Sequence, residues 1–309
     1  MTSFALEPPD YAAFLIYFVV LCAIGLWAGR KEKSDSGDYF LAGKTLPWYV
    51  VGSSFIASNI STEHFIGMIC AAFLYGICVA MSEWLNVLSF SVLIWFFIPF
   101  LLASKVFTTP EFMERRFNST LRQLFAYVTV LSNIVAFLAA VLYGGGLALE
   151  NLFGWPLWFA IVALGVVAGS WAIYGGLRSV AWTDFFTVII MIAGGALVTI
   201  LGLQMLGGED GSILDGWRAM IERNRAQTGV WQEFTNRHAQ QIAPGVESYD
   251  RLAVVQPVTH TVWPWTNMVF GLFSISIWYN VINQFMIQRV LGAKNLYHAR
   301  MGIVLSGYM

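Results

Sequence analysis

The chain has 309 residues, of which 58% are hydrophobic and only 11% charged, and its mean hydropathy is +0.65. Soluble domains carry about 25% charged residues, so this composition excludes an ordinary soluble protein and indicates an all-α polytopic membrane protein. The net charge of −1 gives no support to nucleic-acid binding.

Eight stretches are apolar enough to cross a membrane as helices, which takes about 20 residues each. We expect a single transmembrane domain over residues 1–309, with an extracytoplasmic loop at about 207–260. The eighth stretch begins near residue 297 and stops within its apolar run, which suggests the N-terminal part of a longer protein. The seven complete stretches are approximately 11–29, 47–73, 76–103, 123–149, 156–175, 180–206 and 261–287.

The lysines and arginines predict the orientation in an integral, multi-pass plasma (inner) membrane protein. If the first span runs inward, the short outer segments hold no Lys or Arg, and long loops cross largely regardless of charge. The N-terminus and the loop 207–260 are therefore predicted to lie outside. Within that loop, segment 213–226 is expected to form a short amphipathic helix, and we interpret the loop as a solvated cap. The inner segments carry Arg30, Lys31, Lys33, Lys44, Lys105, Arg115, Arg116, Arg122, Arg178, Arg289, Lys294 and Arg300.

Four ionisable side chains lie inside or at the edge of these apolar stretches: Glu63, His64, Glu83 and Asp184. Burying such a group costs roughly 2.5–3.5 kcal/mol on insertion scales, so intramembrane ionisable residues usually line a polar pathway. The pattern predicts a transporter. Three scattered cysteines lack metal-ligand spacing and no HExxH motif is present, so the sequence does not favour an enzyme.

The second stretch is dense in small polar residues from Ala57 to His64. Ser, Asn and Thr compete for backbone hydrogen bonds, and a broken membrane helix is tolerated where it faces protein or water. We predict a break near Ser58 to Ser61, which would leave the carbonyls of Ala57 and Ile60 to bind Na⁺. An intact helix, with hydroxyls bonded back to their own turn, is the alternative.

Polar residues in the third and seventh stretches predict a solute site. Glu83 and Asn86 share one helical face, and a carboxylate suits the hydroxyl donors of a sugar, although a structural bond to another helix is an alternative. The seventh stretch carries one polar stripe at helical spacing, in which Tyr279 suits a stacking platform or gate. The stripe comprises Ser276, Tyr279, Asn280, Asn283, Gln284 and Gln288.

Asp184 follows the glycine pair at 175–176, near the inner edge of the sixth stretch. A helix N-terminus there would stabilise its charge, which predicts helix capping or a topological role. A role in cytoplasmic ion exit or coupling is the alternative.

Together these segments resemble the sodium:solute symporter family, and within it the sodium–glucose cotransporters. The resemblance covers nearly the whole chain apart from the loop 207–260, and its motifs occur in family order. The segments that carry it are Asp38–Lys44, Ala57–Ser61, His64–Gly67, Glu83–Trp84, Thr109–Phe112, Arg116–Phe117, Tyr174–Leu177, Thr183–Asp184 and Gln288–Arg289.

The resemblance implies a LeuT-type core of two inverted repeats, truncated here after the start of the second repeat. It also implies a sodium site that uses the carbonyls of Ala57 and Ile60, with its other ligands absent from this chain. The solute site it implies comprises Asn59, His64, Glu83, Asn86, Ser276, Tyr279 and Asn280.

These expectations converge on a sodium-coupled symporter of a small polar solute in the lipid bilayer, a sugar or polyol such as glucose, galactose or inositol. Proline, a carboxylate, a nucleoside or sialic acid are alternative solutes, and proton coupling through His64 is an alternative to sodium. The symporter-like membrane half of a sensor protein is an alternative from another functional class.

Overall fold

The computed structural model describes residues 6–30, 36–208 and 211–308, apart from the side chains of Ser36, Glu63 and Trp231. This part of the chain is helical, with two isolated β-bridges, and it forms no strand. The all-α fold expected from the sequence is confirmed. In chain order, the helices are α1 (Pro8–Gly29), α2 (Ser36–Leu41), α3 (Trp48–Asn59), α4 (His64–Ser104), α5 (Thr109–Arg116), α6 (Ser119–Phe153), α7 (Leu157–Gly207), α8 (Ile213–Arg225), α9 (Val230–Arg237), α10 (Ala239–Ile242), α11 (Asn267–Ile282), α12 (Gln284–Leu291) and α13 (Leu296–Tyr308).

Among the described residues, four helices are long and apolar enough to cross a membrane: α1, α4, α6 and α7. The bent pair α11 and α12, which meet at 45°, makes a fifth if it counts as one span. Helices α4 and α7 have 41 and 51 residues. Unbroken, they would be about 60 and 75 Å long, roughly twice the hydrocarbon thickness of a bilayer.

Helix α7 is interrupted at Gly176, whose φ of 49° and ψ of −153° are non-helical. Trp171 and Thr183 both lie within 4 Å of the position that a Cβ on Gly25 would occupy. In a straight helix these two residues would be about 18 Å apart, so the chain reverses at Gly176. The reversal falls between the predicted spans 156–175 and 180–206.

Helix α4 is interrupted in the same way at Gly76, where φ is 79°. A left-handed conformation of this kind suits glycine, which has no Cβ to clash with the backbone. The interruption lies at the first residue of the predicted span 76–103, which follows the predicted span 47–73.

The described residues pack into two units. The first comprises the chain up to Ile66, Ser89–Val188 and the chain from Ile277. Its core forms where α3 packs against α13, and it buries Val50, Phe55, Ile287 and Ile303 among others. Burying each such side chain contributes about 1.5–3 kcal/mol relative to leaving it in water.

The second unit comprises Gly67–Leu88 and Ile189–Ser276. The loop predicted at 207–260 folds into α8, α9 and α10, so the expected helix at 213–226 is present as Ile213–Arg225. A small core of Ala239, Ile242, Ala243 and Tyr249 holds this segment together. The single transmembrane domain expected from the sequence stays a prediction.

Candidate functional site

The second predicted span is broken at the expected position. Helix α3 ends at Asn59, and Ile60 is extended, with φ −87° and ψ 117°. The helix resumes after Ser61, and the backbone of Glu63–Met68 has the wider π-helical winding. The break therefore lies within the predicted segment, and the alternative of an uninterrupted helix is wrong.

Two backbone amides at the break donate away from the helical pattern. In an unbroken helix the amide of Ser61 would donate to the Ala57 carbonyl, and the amide of His64 to the Ile60 carbonyl. Here the Ser61 amide donates to the ring Nδ1 of His64 at 3.2 Å, and the His64 amide donates to the Ser61 carbonyl at 3.0 Å. Neither amide therefore bonds to its helical acceptor, and these two acceptors are the Ala57 and Ile60 carbonyls predicted to bind sodium.

The side chain of His64 is half-buried, and its Nδ1 accepts a hydrogen bond from the Ser61 amide. The neutral ring therefore carries its hydrogen on Nε2. Asn59, another predicted solute contact, is the last residue of α3 and is half-buried. The side chain of Glu63 lies outside the described residues.

Tyr279 contacts the same break from α11. Its hydroxyl donates to the Ser58 carbonyl at 3.1 Å, and its ring lies 5.6 Å from that of Phe137, centroid to centroid. Helix α11 ends three residues later, because Asn283 is extended with ψ 125°. The Asn283 side chain then accepts from the Phe285 amide at 3.1 Å and caps α12.

This second break was not predicted. The polar stripe of the seventh span was expected to follow one continuous helix, but Asn283 divides it between α11 and α12. Asn280 is fully buried, and its Nδ2 donates to the equally buried Ser89 hydroxyl at 3.1 Å. Gln284 accepts from the Thr109 amide at 2.6 Å, and Gln288 donates to the Phe40 carbonyl at 2.8 Å.

Asp184 belongs to a buried polar cluster in the first unit. Its Oδ2 accepts from the Ser54 hydroxyl at 2.5 Å and lies 4.0 Å from Nη2 of Arg289. The Nε of Arg289 donates to the Ser54 hydroxyl at 3.1 Å and to the Ser54 carbonyl at 3.2 Å. Asp184 lies two turns beyond the reversal at Gly176, so the predicted helix-capping role is wrong: helix-end effects fade within the first turn.

Arg289 was predicted only as one of the positive charges of an inner segment, and its side chain is 7% exposed. Its position beside Gln288, in a segment that carries the sequence resemblance, is the signal that marks it. The guanidinium also lies over the Phe285 ring, 4.4 Å from its centroid. A buried arginine requires a charged partner such as Asp184, because an unpaired charge is costly to bury.

In the second unit, three predicted residues are linked by hydrogen bonds. Asn86 Nδ2 donates to Glu83 Oε2 at 2.9 Å. The Ser276 hydroxyl donates to the other end of the same amide, Asn86 Oδ1. Asn86 and Ser276 are buried, whereas Glu83 is half-buried. The arrangement fixes the amide of Asn86 and, through it, the carboxylate of Glu83.

The seven predicted solute contacts divide between the two units. In the first unit the structure brings Tyr279 and His64 to the break and directs Asn280 toward Ser89. In the second unit it joins Glu83, Asn86 and Ser276.

Three curated relatives align with nearly the whole chain. A sodium/glucose cotransporter of Vibrio parahaemolyticus is 34% identical, and the alignment covers 97% of this chain and 52% of the relative. Sodium/glucose cotransporter 4 of Danio rerio and sodium/myo-inositol cotransporter 2 of Mus musculus are each 30% identical. Each of these two alignments covers 99% of this chain, with 45% and 44% of the relatives. The chain thus spans about half the length of the curated relatives it matches.

Among solved structures, the chain matches a sodium-coupled sialic acid symporter in its substrate-bound, outward-open state. The TM-score is 0.75 at 19% identity, and the match covers 96% of this chain and 56% of the symporter. This likeness shows the fold and confirms the LeuT-type architecture that the sequence resemblance implies. The family model of the sodium:solute symporters matches residues 39–309, and the chain therefore belongs to the sodium:solute symporter family.

Proposed function

We propose that this chain supplies the broken-helix half of a sodium-coupled symporter for a sugar or polyol. The observation that carries the proposal is the break at Ile60–Ser61, where the amides of Ser61 and His64 donate away from the helix. Transporters use such breaks to offer unwound carbonyls to a coupling cation.

The carbonyls of Ala57 and Ile60 are the proposed sodium ligands. Backbone carbonyls suit a hard cation, and here two of them stand one turn apart at a point where the helical donors bond elsewhere. The imidazole of His64 supports this arrangement, because it takes the amide that would otherwise return to Ala57. Further ligands would come from outside this segment.

The carboxylate of Glu83 is the proposed principal acceptor for solute hydroxyls. Asn86 donates to its Oε2, and Ser276 donates to the amide oxygen of Asn86, so this carboxylate oxygen has a fixed position. We assign Asn59, His64 and Tyr279 to the solute site at the break, and Asn280 to the same site through its bond to Ser89. The glucose and myo-inositol cotransporters among the relatives support a polyhydroxylated solute.

Asp184 is the proposed coupling or inner ion-exit residue. Ser54 and Arg289 already hold its carboxylate in a buried cluster, so a passing cation would compete with Arg289 for it. That competition would allow occupancy by sodium to alter the contacts among α3, α7 and α12.

The proposed setting is a multi-pass protein of the plasma (inner) membrane, with an outer N-terminus and no enzymatic activity. Positive charge on the inner segments supports this orientation. The relatives are transporters, which supports transport as the activity.

Uptake of labelled glucose and myo-inositol into proteoliposomes that contain the intact protein tests the proposal. We expect uptake to require external sodium and to disappear in choline. Glu83→Gln should weaken solute binding by about 1–3 kcal/mol, because a half-buried acceptor loses its charge. Glu233→Gln, on the exposed helix α9, is the control. Equal uptake in choline would contradict sodium coupling, and unchanged affinity in Glu83→Gln would remove Glu83 from the site.

A further inference from the structure

Helix α8 (Ile213–Arg225) follows α7, and between the two helices the Gly211 amide donates to the Gly208 carbonyl at 3.1 Å. Its start is fixed by reciprocal hydrogen bonds between Ser212 and Asp215: the Ser212 hydroxyl accepts from the Asp215 amide at 3.2 Å, and Asp215 accepts from the Ser212 amide at 3.0 Å. The helix therefore begins at a defined point just beyond the end of the membrane span.

The backbones of α8 and α7 touch. A Cβ on Gly216 would lie 1.8 Å from the Leu203 carbonyl oxygen, so only glycine fits at this contact. Leu203 is four residues from the last residue of α7, which corresponds to about 6 Å along the helix axis. Helix α8 therefore crosses α7 near the depth at which the span ends.

Helix α8 is amphipathic about Trp217. At about 100° per residue, Ile213, Leu214, Trp217 and Ile221 lie on one arc. Leu214 is 67% exposed and Trp217 is 50% exposed, which are large values for apolar side chains. Asp215 and Glu222 lie on the opposite side of the helix, and Arg218 and Arg225 lie between them and the apolar arc.

We propose that α8 lies in the interfacial layer of the bilayer, with Trp217 and its apolar neighbours toward the acyl chains. Amphipathic helices bury their apolar face about 5–10 Å into the boundary between headgroups and chains, and α8 contacts α7 about 6 Å before that helix ends.

The chemistry of α8 fits this layer. Tryptophan is enriched at membrane interfaces, because its ring is apolar and its N–H is polar. Arg218 and Arg225 lie at the edge of the apolar arc, where they can reach lipid phosphates while their stems cover apolar surface. On this proposal α8 anchors the end of α7 at a fixed depth, whereas the sequence predicted a solvated cap for this segment.

Spin labelling of the intact protein in phospholipid nanodiscs tests the proposal. Single cysteines would replace Ile213, Leu214 or Trp217, with Glu222→Cys as the control about 140° from Trp217 on the same helix. The background lacks the native Cys22, Cys70 and Cys78 and retains its thermal melting transition. Collisions with molecular oxygen, which concentrates in lipid, are compared with collisions with a water-soluble nickel chelate.

We expect oxygen collisions to dominate at positions 213, 214 and 217, and nickel collisions to dominate at position 222. Nickel dominance at all four positions would place α8 in water and overturn the proposal. Low values of both at the apolar positions would mean that protein covers this face, and would overturn it as well. Ile213→Cys and Leu214→Cys keep Trp217 in place, so the test does not depend on a variant that lacks the central side chain.

Discussion

Two of the interruptions in the described helices differ in how their backbone groups are satisfied: one at Ile60–Ser61 in the first unit and one at Gly76 in the second. At Gly76, residues of the loop 207–260 form hydrogen bonds with the backbone groups that the break leaves without helical partners, and we call this the closed break. Arg251 donates to the carbonyls of Ala72 and Phe73, and its own carbonyl accepts from the Ile77 amide at 2.9 Å. The Tyr249 hydroxyl donates to the Tyr75 carbonyl at 2.9 Å.

At Ile60–Ser61 the arrangement is different. The amides of Ser61 and His64 bond within the break, so they do not bond to the carbonyls of Ala57 and Ile60 as they would in a helix. His64 and Ser61 accept the two amides that would have bonded to Ala57 and Ile60. A helix end must satisfy its carbonyls, since unpaired polar groups are costly at membrane depth. On the proposed function, the break closed by protein is structural, and the break with redirected donors serves a cation.

The largest expected effect is at the closed break. Gly76→Ala would place a Cβ 2.1 Å from the Arg251 carbonyl oxygen at a residue whose φ is 79°. We expect a loss of about 3 kcal/mol or more of stability, because strain and a backbone clash combine. Gly67→Ala is the matched control, since its Cβ would meet nothing within 4 Å. Thermal unfolding of the detergent-solubilised protein measures both, and equal melting temperatures would contradict a closed break.

Arg251→Met sharpens the same comparison with a smaller change. It removes the donors to Ala72 and Phe73 and keeps most of the side-chain stem, so we expect a loss of about 1–3 kcal/mol. Arg237→Met, an exposed arginine of α9, is the control and should change stability by less than about 0.5 kcal/mol. Because this break is structural, the sodium concentration for half-maximal uptake should stay unchanged in both variants. A shift in Arg251→Met alone would link the loop to the ion site.

The sequence revealed the first break and missed the second for a physical reason. Ser58, Asn59, Ser61 and Thr62 are consecutive or nearly so, and such a density of side chains that compete for backbone bonds is a local signal. The break at Asn283 depends on one asparagine that caps α12, set within a stripe whose spacing is helical. Periodicity alone does not separate that cap from a residue within a continuous helix.

Long-range partners were the other limit of prediction. Arg289 and Asp184 are 105 positions apart in the sequence, and the pairing with Ser54 depends on tertiary packing. The loop 207–260 was interpreted as a solvated cap because it is polar on average. Its few apolar residues, Tyr249 among them, nevertheless form a core, and Arg251 caps a helix nearly 180 residues earlier.

At the break with redirected donors, His64→Ala tests the role of the imidazole. The Ser61 amide would lose its acceptor and could return to the Ala57 carbonyl, so we expect a tenfold weaker apparent affinity for sodium, or about 1.4 kcal/mol. His298→Ala is the control, because the Nδ1 of His298 accepts the Trp48 amide at 3.2 Å away from the break. The sodium dependence of uptake reports the change. An equal shift in both variants would indicate a general loss of packing rather than a role at the break.

The smallest expected effect is a pH dependence near the closed break. His260 Nδ1 accepts from the amides of Val262 and Trp263, and its Nε2 lies 2.9 Å from the Tyr249 hydroxyl oxygen. That hydroxyl donates to the Tyr75 carbonyl, so Nε2 of His260 is the donor in this pair and the ring is neutral. Burial lowers the pKa of His260 below its usual 6.5, because the charged form is poorly solvated.

The sign of the pH effect follows from that direction. The folded state binds its proton less readily than the unfolded chain, so stability is complete above about pH 6.5 and falls as the pH drops through the folded-state pKa. His260→Gln should be less stable at pH 7.5 and should lose this component of the decline toward pH 5. The comparison uses melting temperatures across that range, with His238→Gln, at a half-buried histidine that contacts Phe234, as the control. If His260→Gln kept the full decline in stability seen in the unsubstituted protein, another titrating group would be responsible. The hydrogen bonds that link neutral His260 through Tyr249 to the Tyr75 carbonyl would then not contribute to stability at Gly76.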